Sequence, residues 1–448
     1  MSGWSYALND LAHILGAAPE YGDKTFSSVS TDTRALRPGD VFFALSGPNF
    51  DGNAFVAEAF AKGASAVVAS VPNENGDCVI VDDPLKALQT FAARHRDRQR
   101  CRVFALTGSC GKTSTKDLVS ELLATRFNVV KTRGNLNNEI GCPLSLLQID
   151  DRTDIAVIEM GANHPGEIAG LCSLAKPSES AITMIAPAHL EGFGSIENVA
   201  KAKGEIVEGT DPHGTFYVNT DDPWCVHIAE SFPGRKVRFG SSGDVTLDSL
   251  RVIGPCEMEM HVSPIGMLRL PLACRAHARN VLLAVAVGLE HGVDAFEEPL
   301  RRASLSLSRF KVKTVGPLTV IDDTYNANPA SMAASLEALA DWPGSGAKIA
   351  ALGEMLELGA HAAKLHRDIG VKAGRLGISA LFARGQHACD MIEGARAENI
   401  PFAEMIDAPQ DLACSIKRMA NPGDVLLVKG SRGMRMELVI EALQELYS

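Results

Sequence analysis

No run of about eighteen consecutive apolar residues occurs in the chain, so no membrane-spanning helix is expected. Residues 1–19 lack the unbroken apolar segment of a signal peptide, because Asn9, Asp10 and His13 interrupt it. The ten cysteines include no C-x-x-C pair, which leaves reduced thiols, and not a disulfide framework, as the expectation. These three absences together predict a cytoplasmic protein. An excess of basic residues is also lacking: 43 Lys and Arg face 54 Asp and Glu, for a net charge of −11. Such a surface excludes no local basic pocket for a phosphorylated substrate, but neither nucleic acid nor a membrane is expected as a partner. No internal repeat, low-complexity tract, Ser-His-Asp or Cys-His nucleophile pattern is evident.

What is present is ordinary globular material, 46% hydrophobic and 22% charged. At 448 residues it exceeds a single core, and two to four domains are expected. The chain is organised around residues 103–117, VFALTGSCGKTSTKD. Four apolar residues suit a buried parallel strand. Gly108 and Gly111 permit a tight loop, and Lys112 and Thr113 open a segment with helical spacing. Strand, glycine loop and helix make a phosphate cradle, in which backbone amides and the Lys112 charge meet anionic oxygens and the Thr113 hydroxyl meets Mg²⁺. Leu106 stands where a full Walker pattern has glycine, so this is a shorter TGxxGKT variant. Cys110 inside it is a candidate for oxidation or alkylation.

Before the loop, residues 1–99 read as a small α/β domain with a helix over 7–15, a strand at 41–45, a helix over 53–62 and a strand at 66–69. Ser30, Asp32 and Arg34 alternate on an extended segment; they either face one ligand or form a solvated Asp–Arg pair. The arginine-rich residues 93–102 read as a solvated helix end and linker. After the loop, Asn135, Asn137 and Asn138 offer donors and acceptors to a polar substrate, or simply favour a turn. Residues 155–158 read as a buried strand that puts Glu159 at its carboxyl end, where an open parallel sheet carries its ligand. A third strand, 181–185, leads to His189, and a helix over 197–209 presents Lys201 and Lys203. Residues 244–272 read as a β-rich insert. From 313 onward, strands at 318–321, 348–352, 380–383 and 425–428 alternate with helices, the pattern of a doubly wound parallel sheet.

Taken together, TGSCGKTSTK (107–116), GNLNNEIGCP (134–143), EMGANHPGEI (159–168), AHLEGFGSIENVAKAKGEI (188–206), HARN (277–280), DDTYNANPASM (322–332) and VKGSRGMRME (428–437) resemble the Mur ligases over nearly the whole chain. The loop alone would also fit folylpolyglutamate synthetases. The combination of NLNNEIG, EMGAN and DDTYNANP is similar to the branch that joins D-alanyl-D-alanine to UDP-N-acetylmuramoyl-tripeptide in peptidoglycan precursor synthesis. The resemblance implies three α/β domains: a small substrate-binding one at 1–99, a central P-loop ATPase-like parallel sheet at 100–312, and a C-terminal Rossmann-like one at 313–448.

It also implies roles. Thr107, Gly108, Ser109, Cys110, Gly111, Lys112, Thr113 and Ser114 would cradle ATP phosphates. Asn280, Arg309, Asp323, Tyr325, Asn326 and Asn328 would face the nucleotide. Thr113 and Glu159 would hold one Mg²⁺, and His189 would serve a second. Lys203 aligns with a lysine carbamylated in this family, so Lys112, Lys203, His189 and Glu159 are the catalytic candidates. Ser30, Asp32 and Arg34 would receive the uridine end of the substrate, and Asn135, Asn137 and Asn138 its sugar and peptide. One departure is Asn53, where the family commonly shows histidine. Because loop and DDTYNANP turn fall in different domains, a hinge near 308–314 and an open ligand-free form, with Asn326 and Asn328 far from Gly111, are expected. The expected state is a monomer. The alternatives are a related amide ligase adding another amino acid or glutamate, and a non-enzymatic ATP-gated module.

Overall fold

Three larger sheets follow one another along the chain, beside two short hairpin-sized ones pairing Tyr6–Ala7 with Thr25–Phe26 and Ser46–Gly47 with Phe50–Asp51 among the described residues. The computed structural model describes residues 3–19, 21–48, 50–74, 76–307 and 310–448. The first sheet has four parallel strands in the order Val29–Ser30, Val41–Phe43, Ala66–Ala69, Cys78–Ile80. The central sheet has nine, in the order Val129–Lys131, Ile155–Glu159, Arg102–Thr107, Glu179–Ile182, Thr215–Asn219, Arg235–Gly240, Val245–Gly254, Glu257–Ser263, Gly266–Leu270. Its first seven strands are parallel and its last two antiparallel. Residues 244–272 are therefore not a separate insert: they extend the same sheet, pairing through Phe239 and Val245.

The C-terminal sheet orders its strands Lys311–Val315, Leu318–Asp323, Val425–Lys429, Lys348–Gly353, Ala380–Arg384, Phe402–Met405. All pairs are parallel except the first hairpin. That hairpin strand straddles the expected boundary at 312/313, so the sheet begins at Lys311, inside the expected hinge. Residues 308 and 309 lie outside the described residues, and with them the expected role of Arg309.

The arginine-rich stretch is not a solvated linker. It ends the helix Pro84–Arg98, and it docks the first sheet onto the central one. His95 is fully buried; its Nε2–H donates to Ile149 O at 2.8 Å, so Nδ1 accepts from the Tyr6 hydroxyl at 3.0 Å. Arg96 donates to the carbonyls of Ala175, Gln99 and Cys101. Trp4 adds a bond from Nε1 to Leu147 O at 2.9 Å. Three carbonyls take one donor from each nitrogen of this half-buried guanidinium.

Deep in the central sheet, Glu179 accepts from the Tyr217 hydroxyl at 2.8 Å and from His291 Nε2 at 3.0 Å. Burial pushes this carboxyl up, but the hydrogen bonds from His291 and Tyr217 outweigh it and hold it below its ordinary value. Removing the carboxylate leaves two buried donors unsatisfied, so Glu179→Ala is expected to cost about 2–4 kcal/mol at neutral pH. A depressed carboxyl contributes fully above the ordinary carboxylate range and loses that contribution as pH falls through the folded-state value. Urea unfolding at pH 7 and pH 4 should show the gap between wild type and variant narrowing at the lower pH.

Candidate active site

Parallel strands Ile155–Glu159, Arg102–Thr107 and Glu179–Ile182 lie side by side, so their carboxyl ends converge. The phosphate loop leaves the middle one. Gly108 has φ 144°, and a Cβ there would sit 1.9 Å from Thr183 Oγ1; Gly111 has φ 83° and would meet Asn280 Oδ1 at 2.5 Å. Both glycines are thus required by backbone conformation and by close approach. Gly111 N-caps the helix Lys112–Leu123, whose N-terminus opens at the loop. Ser109 N–H is committed, donating to Met184 O at 2.8 Å, and its hydroxyl is tied to Ala186. Thr183 Oγ1 stands 2.5 Å from Cys110 O and 3.3 Å from Thr107 O, bracing the loop from the neighbouring strand. The Lys112 ammonium arches back to Gly108 O at 2.7 Å, over the cradle. Ser114 is buried in the first helical turn, and Thr107 Oγ1 is buried without a hydrogen-bond partner among the described residues.

Glu159 is buried at its strand end. Oε1 accepts from Thr113 Oγ1 at 3.3 Å and from Asn137 Nδ2 at 2.8 Å. Oε2 has no hydrogen-bond partner among the described residues, with buried Lys116 Nζ 3.7 Å away. A hydroxyl beside a carboxylate with an orphaned oxygen fits Mg²⁺, which prefers oxygen donors and takes its other positions from water and phosphate. Among the described residues no group of three or more His, Cys, Asp or Glu is gathered for a metal.

Lys203 is buried on the helix Ile196–Glu208, its ammonium 5.9 Å from the Phe193 ring centre, and it makes no hydrogen bond or ion pair among the described residues. Burial first, and the Lys112 charge second, bring its pKa down to about 7. Lys201 on the same helix is exposed. His189 adopts a left-handed conformation, φ 53°, before the short helix Leu190–Phe193. Its Nδ1 pairs with the carboxylate of Glu357, from the C-terminal part, and that bond holds the Glu357 carboxyl below its ordinary value.

The expected separation of Asn328 from the loop is not observed. Asn328 Nδ2 donates to Ser109 O at 3.1 Å, and its Oδ1 lies 3.1 Å from Cys110 Sγ. The same Oδ1 accepts from Ser331 N and caps the helix Pro329–Ala340. Capping fixes the side chain, and the fixed side chain reaches the loop. Asp323 is held by buried Lys429 at 2.5 Å and by Ser335 at 2.8 Å; Lys429 also donates to Asn326 O at 3.0 Å. Asn326 Oδ1 accepts from Arg432 N at 3.3 Å, and Tyr325 lies in the same turn. Asn280 is buried against Gly111.

The substrate candidates divide. Asn137 touches Glu159, whereas Asn138 Oδ1 caps the turn into the helix Gly141–Leu146 and Asn135 is exposed. Ser30, Asp32 and Arg34 are together, but not by strand alternation: the strand ends at Ser30 and a turn follows. Asp32 N–H donates to Ser30 Oγ at 3.2 Å, and Asp32 holds Arg34 in a fork, at 2.9 Å from Nε and 2.7 Å from NH2. The Arg34 hydrogen bonds bring the Asp32 carboxyl down to about 2. Asn53 links Asp51 to Ser70 at 2.7 and 3.0 Å.

Comparison with known proteins agrees along the full length. The UDP-N-acetylmuramoyl-tripeptide–D-alanyl-D-alanine ligase of Escherichia coli (strain K12) is 37% identical over 455 residues, covering 98% of this chain and 99% of that protein. Three family models match in order: Mur ligase family, catalytic domain, at 25–96; Mur ligase middle domain at 106–288; and Mur ligase, glutamate ligase domain, at 308–432. The chain belongs to the Mur ligase family. Its structure is similar to crystal structure I of MurF from Acinetobacter baumannii, with TM-score 0.89 and 30% identity over 99% of this chain and all of that one. It also resembles the MurF ligase from Thermotoga maritima in complex with ADP, with TM-score 0.81 and 29% identity over 93% and 97% of the two chains.

In this Mur ligase, several residues that hold the site have no strong local signal. Thr132 Oγ1 accepts from Glu159 N, Thr183 braces the loop, and Glu357 pairs with His189. Lys429 sits in the KGSRG turn, a motif too short to assign alone. Lys116 lies inside the phosphate-loop motif, and helical spacing places it inward, one turn from Lys112.

Proposed function

We propose that the protein is an ATP-dependent ligase that joins D-alanyl-D-alanine to UDP-N-acetylmuramoyl-tripeptide, acting in the cytoplasm as a monomer with substrate, nucleotide and ligase parts at 1–99, 100–310 and 311–448. The observation that carries this reading is the meeting of three elements in one cleft: the phosphate loop, buried Glu159 beside the Thr113 hydroxyl, and the 322–329 turn braced on the loop by Asn328. The nucleotide phosphates lie along the cradle from Thr107 to Ser114, with Asn280, Asp323, Tyr325, Asn326 and Asn328 on the nucleoside side. The side chain of Asn328 is already committed to the loop, so its part is to hold the cradle. Ser30, Asp32 and Arg34 receive the uridine end, and Asn135, Asn137 and Asn138 line the path of sugar and peptide.

A carboxylate is a poor acceptor of an amine. One terminal carboxylate oxygen of the tripeptide attacks the γ-phosphorus of ATP, ADP leaves, and an acyl phosphate forms. The dipeptide amine then attacks the acyl carbon, gives up a proton, and phosphate departs from the tetrahedral intermediate carrying that oxygen. Lys112 and the loop amides neutralise charge that builds on the transferred phosphoryl group, and the two halves of the cleft align the reactants. Thr113 and Glu159 would hold one Mg²⁺, and His189 with Lys203 a second; bound Mg²⁺ would supply positive charge at the phosphoryl oxygens. Lys203 takes part as a carbamate. With its pKa near 7 a substantial fraction of its amine is neutral near neutral pH, its lone pair adds to CO₂, and a proton is lost to water. The product is an anionic oxygen donor, which suits that ion.

A panel of amines and UDP-linked acceptors, read as phosphate release, tests the assignment. Full turnover is expected only with D-alanyl-D-alanine and UDP-N-acetylmuramoyl-tripeptide. Faster turnover with a free amino acid or with a folate acceptor would move the protein to a different ligase class.

A further inference from the structure

Two residues in the left-handed backbone region, uncommon for residues other than glycine, meet across the cleft: His189 at φ 53° and Glu357 at φ 63°. The Glu357 carboxylate pairs with His189 Nδ1, and the Glu357 carbonyl accepts from Glu191 N–H at 3.0 Å. The loop that carries Glu357 is pinned on its own side. Met355 N–H donates to buried His366 Nε2 at 2.9 Å, Leu356 N–H donates to Ser431 Oγ at 2.9 Å, and Leu358 is buried. Ser431 Oγ in turn donates to Ala327 O at 3.3 Å, in the turn that sends Asn328 to the phosphate loop. The Glu357 loop and the turn that carries Asn328 therefore share one hydroxyl.

In the neutral ring, a carboxylate accepting Nδ1–H leaves Nε2 without a proton, the form of imidazole that ligates a metal. We propose that Glu357 is the positioning residue of His189: when the C-terminal part docks, its carboxylate fixes the Nδ1–H tautomer and ring orientation, leaving Nε2 to a divalent cation. This rests on the reading of His189 as a Mg²⁺ ligand. It makes the second cation site a product of docking, so cation binding and closure favour each other. Thr113 opens the helix after the phosphate loop and Glu159 ends a central strand, so neither depends on Glu357.

The test is Mn²⁺ binding followed by electron paramagnetic resonance on the full chain, with ADP and UDP-N-acetylmuramoyl-tripeptide present. Wild type is expected to bind two Mn²⁺. Glu357→Ala should weaken one of them by about 10- to 100-fold and leave the other unchanged. Glu357→Gln, whose amide oxygen still accepts from Nδ1, should fall between, which separates lost positioning from a misfolded variant. In a His189→Ala background, Glu357→Ala should have no further effect on Mn²⁺. Two unchanged sites in Glu357→Ala, or an added loss in the His189→Ala background, would overturn the proposal while leaving His189 as a ligand. A single Mn²⁺ in wild type would remove the second-cation reading itself, and this proposal with it.

Discussion

Lys112→Ala is expected to lower turnover by roughly 10³-fold while leaving the fold intact, the loss typical when one charged or oriented donor is removed from a site of developing negative charge. The lysine stabilises no core: its Nζ reaches a loop carbonyl, Gly108 O at 2.7 Å, and the helix it opens is anchored instead by Leu118, Val119, Leu122 and Leu123. The loop shape comes from Gly108, Gly111 and the Thr183 hydroxyl, and all three stay. Thermal unfolding of the variant should therefore match wild type while steady-state phosphate release collapses. A variant within about tenfold of wild type would place the phosphates elsewhere.

Lys203→Ala should lower turnover by about 10²-fold or more, and small carboxylates such as acetate or formate should restore part of it. The carbamate is proposed as a metal ligand, and losing an oriented ligand has costs of this order. Burial makes this lysine unlike its neighbour. Lys201, exposed on the same helix, should tolerate alanine with little change. The amine is neutral above about 7 and protonated below, so recovery of activity after CO₂ depletion should slow as pH falls through that value. Nucleotide affinity should change less than turnover, because Lys112, Thr113 and the loop remain. Equal losses in Lys201→Ala and Lys203→Ala, or full activity in CO₂-free buffer, would contradict the carbamate.

Much of the central sheet could be read from residues alone, for a physical reason. Strands buried on both faces need continuous apolar runs, and Val103–Leu106 and Ile155–Ile158 are such runs, each followed at once by a polar residue at the ligand edge. The strand Phe402–Met405 escaped because it lies at a sheet edge, mostly exposed, with Glu404 in its middle. The extended reading of Ser30, Asp32 and Arg34 failed because Asp32 turns its carboxylate back on Arg34 N–H, an Asx turn that competes with a strand. Docking was the least legible part. His95 and Arg96 look like surface residues in a basic stretch, and what buries them is a set of carbonyls 54 and 79 residues away. Glu357 and Asn328 likewise gain meaning only from partners 168 and 219 positions distant.

The central claim is that the tripeptide carboxylate is activated by phosphoryl transfer before the dipeptide attacks. The most direct measurement places ¹⁸O in the terminal carboxylate of UDP-N-acetylmuramoyl-tripeptide and follows it by mass spectrometry through one turnover with ATP and D-alanyl-D-alanine. An acyl phosphate requires one labelled oxygen to leave with the released phosphate and the other to remain in the new amide. Phosphate free of label while the amide forms, with the second labelled oxygen recovered in water, would contradict the account.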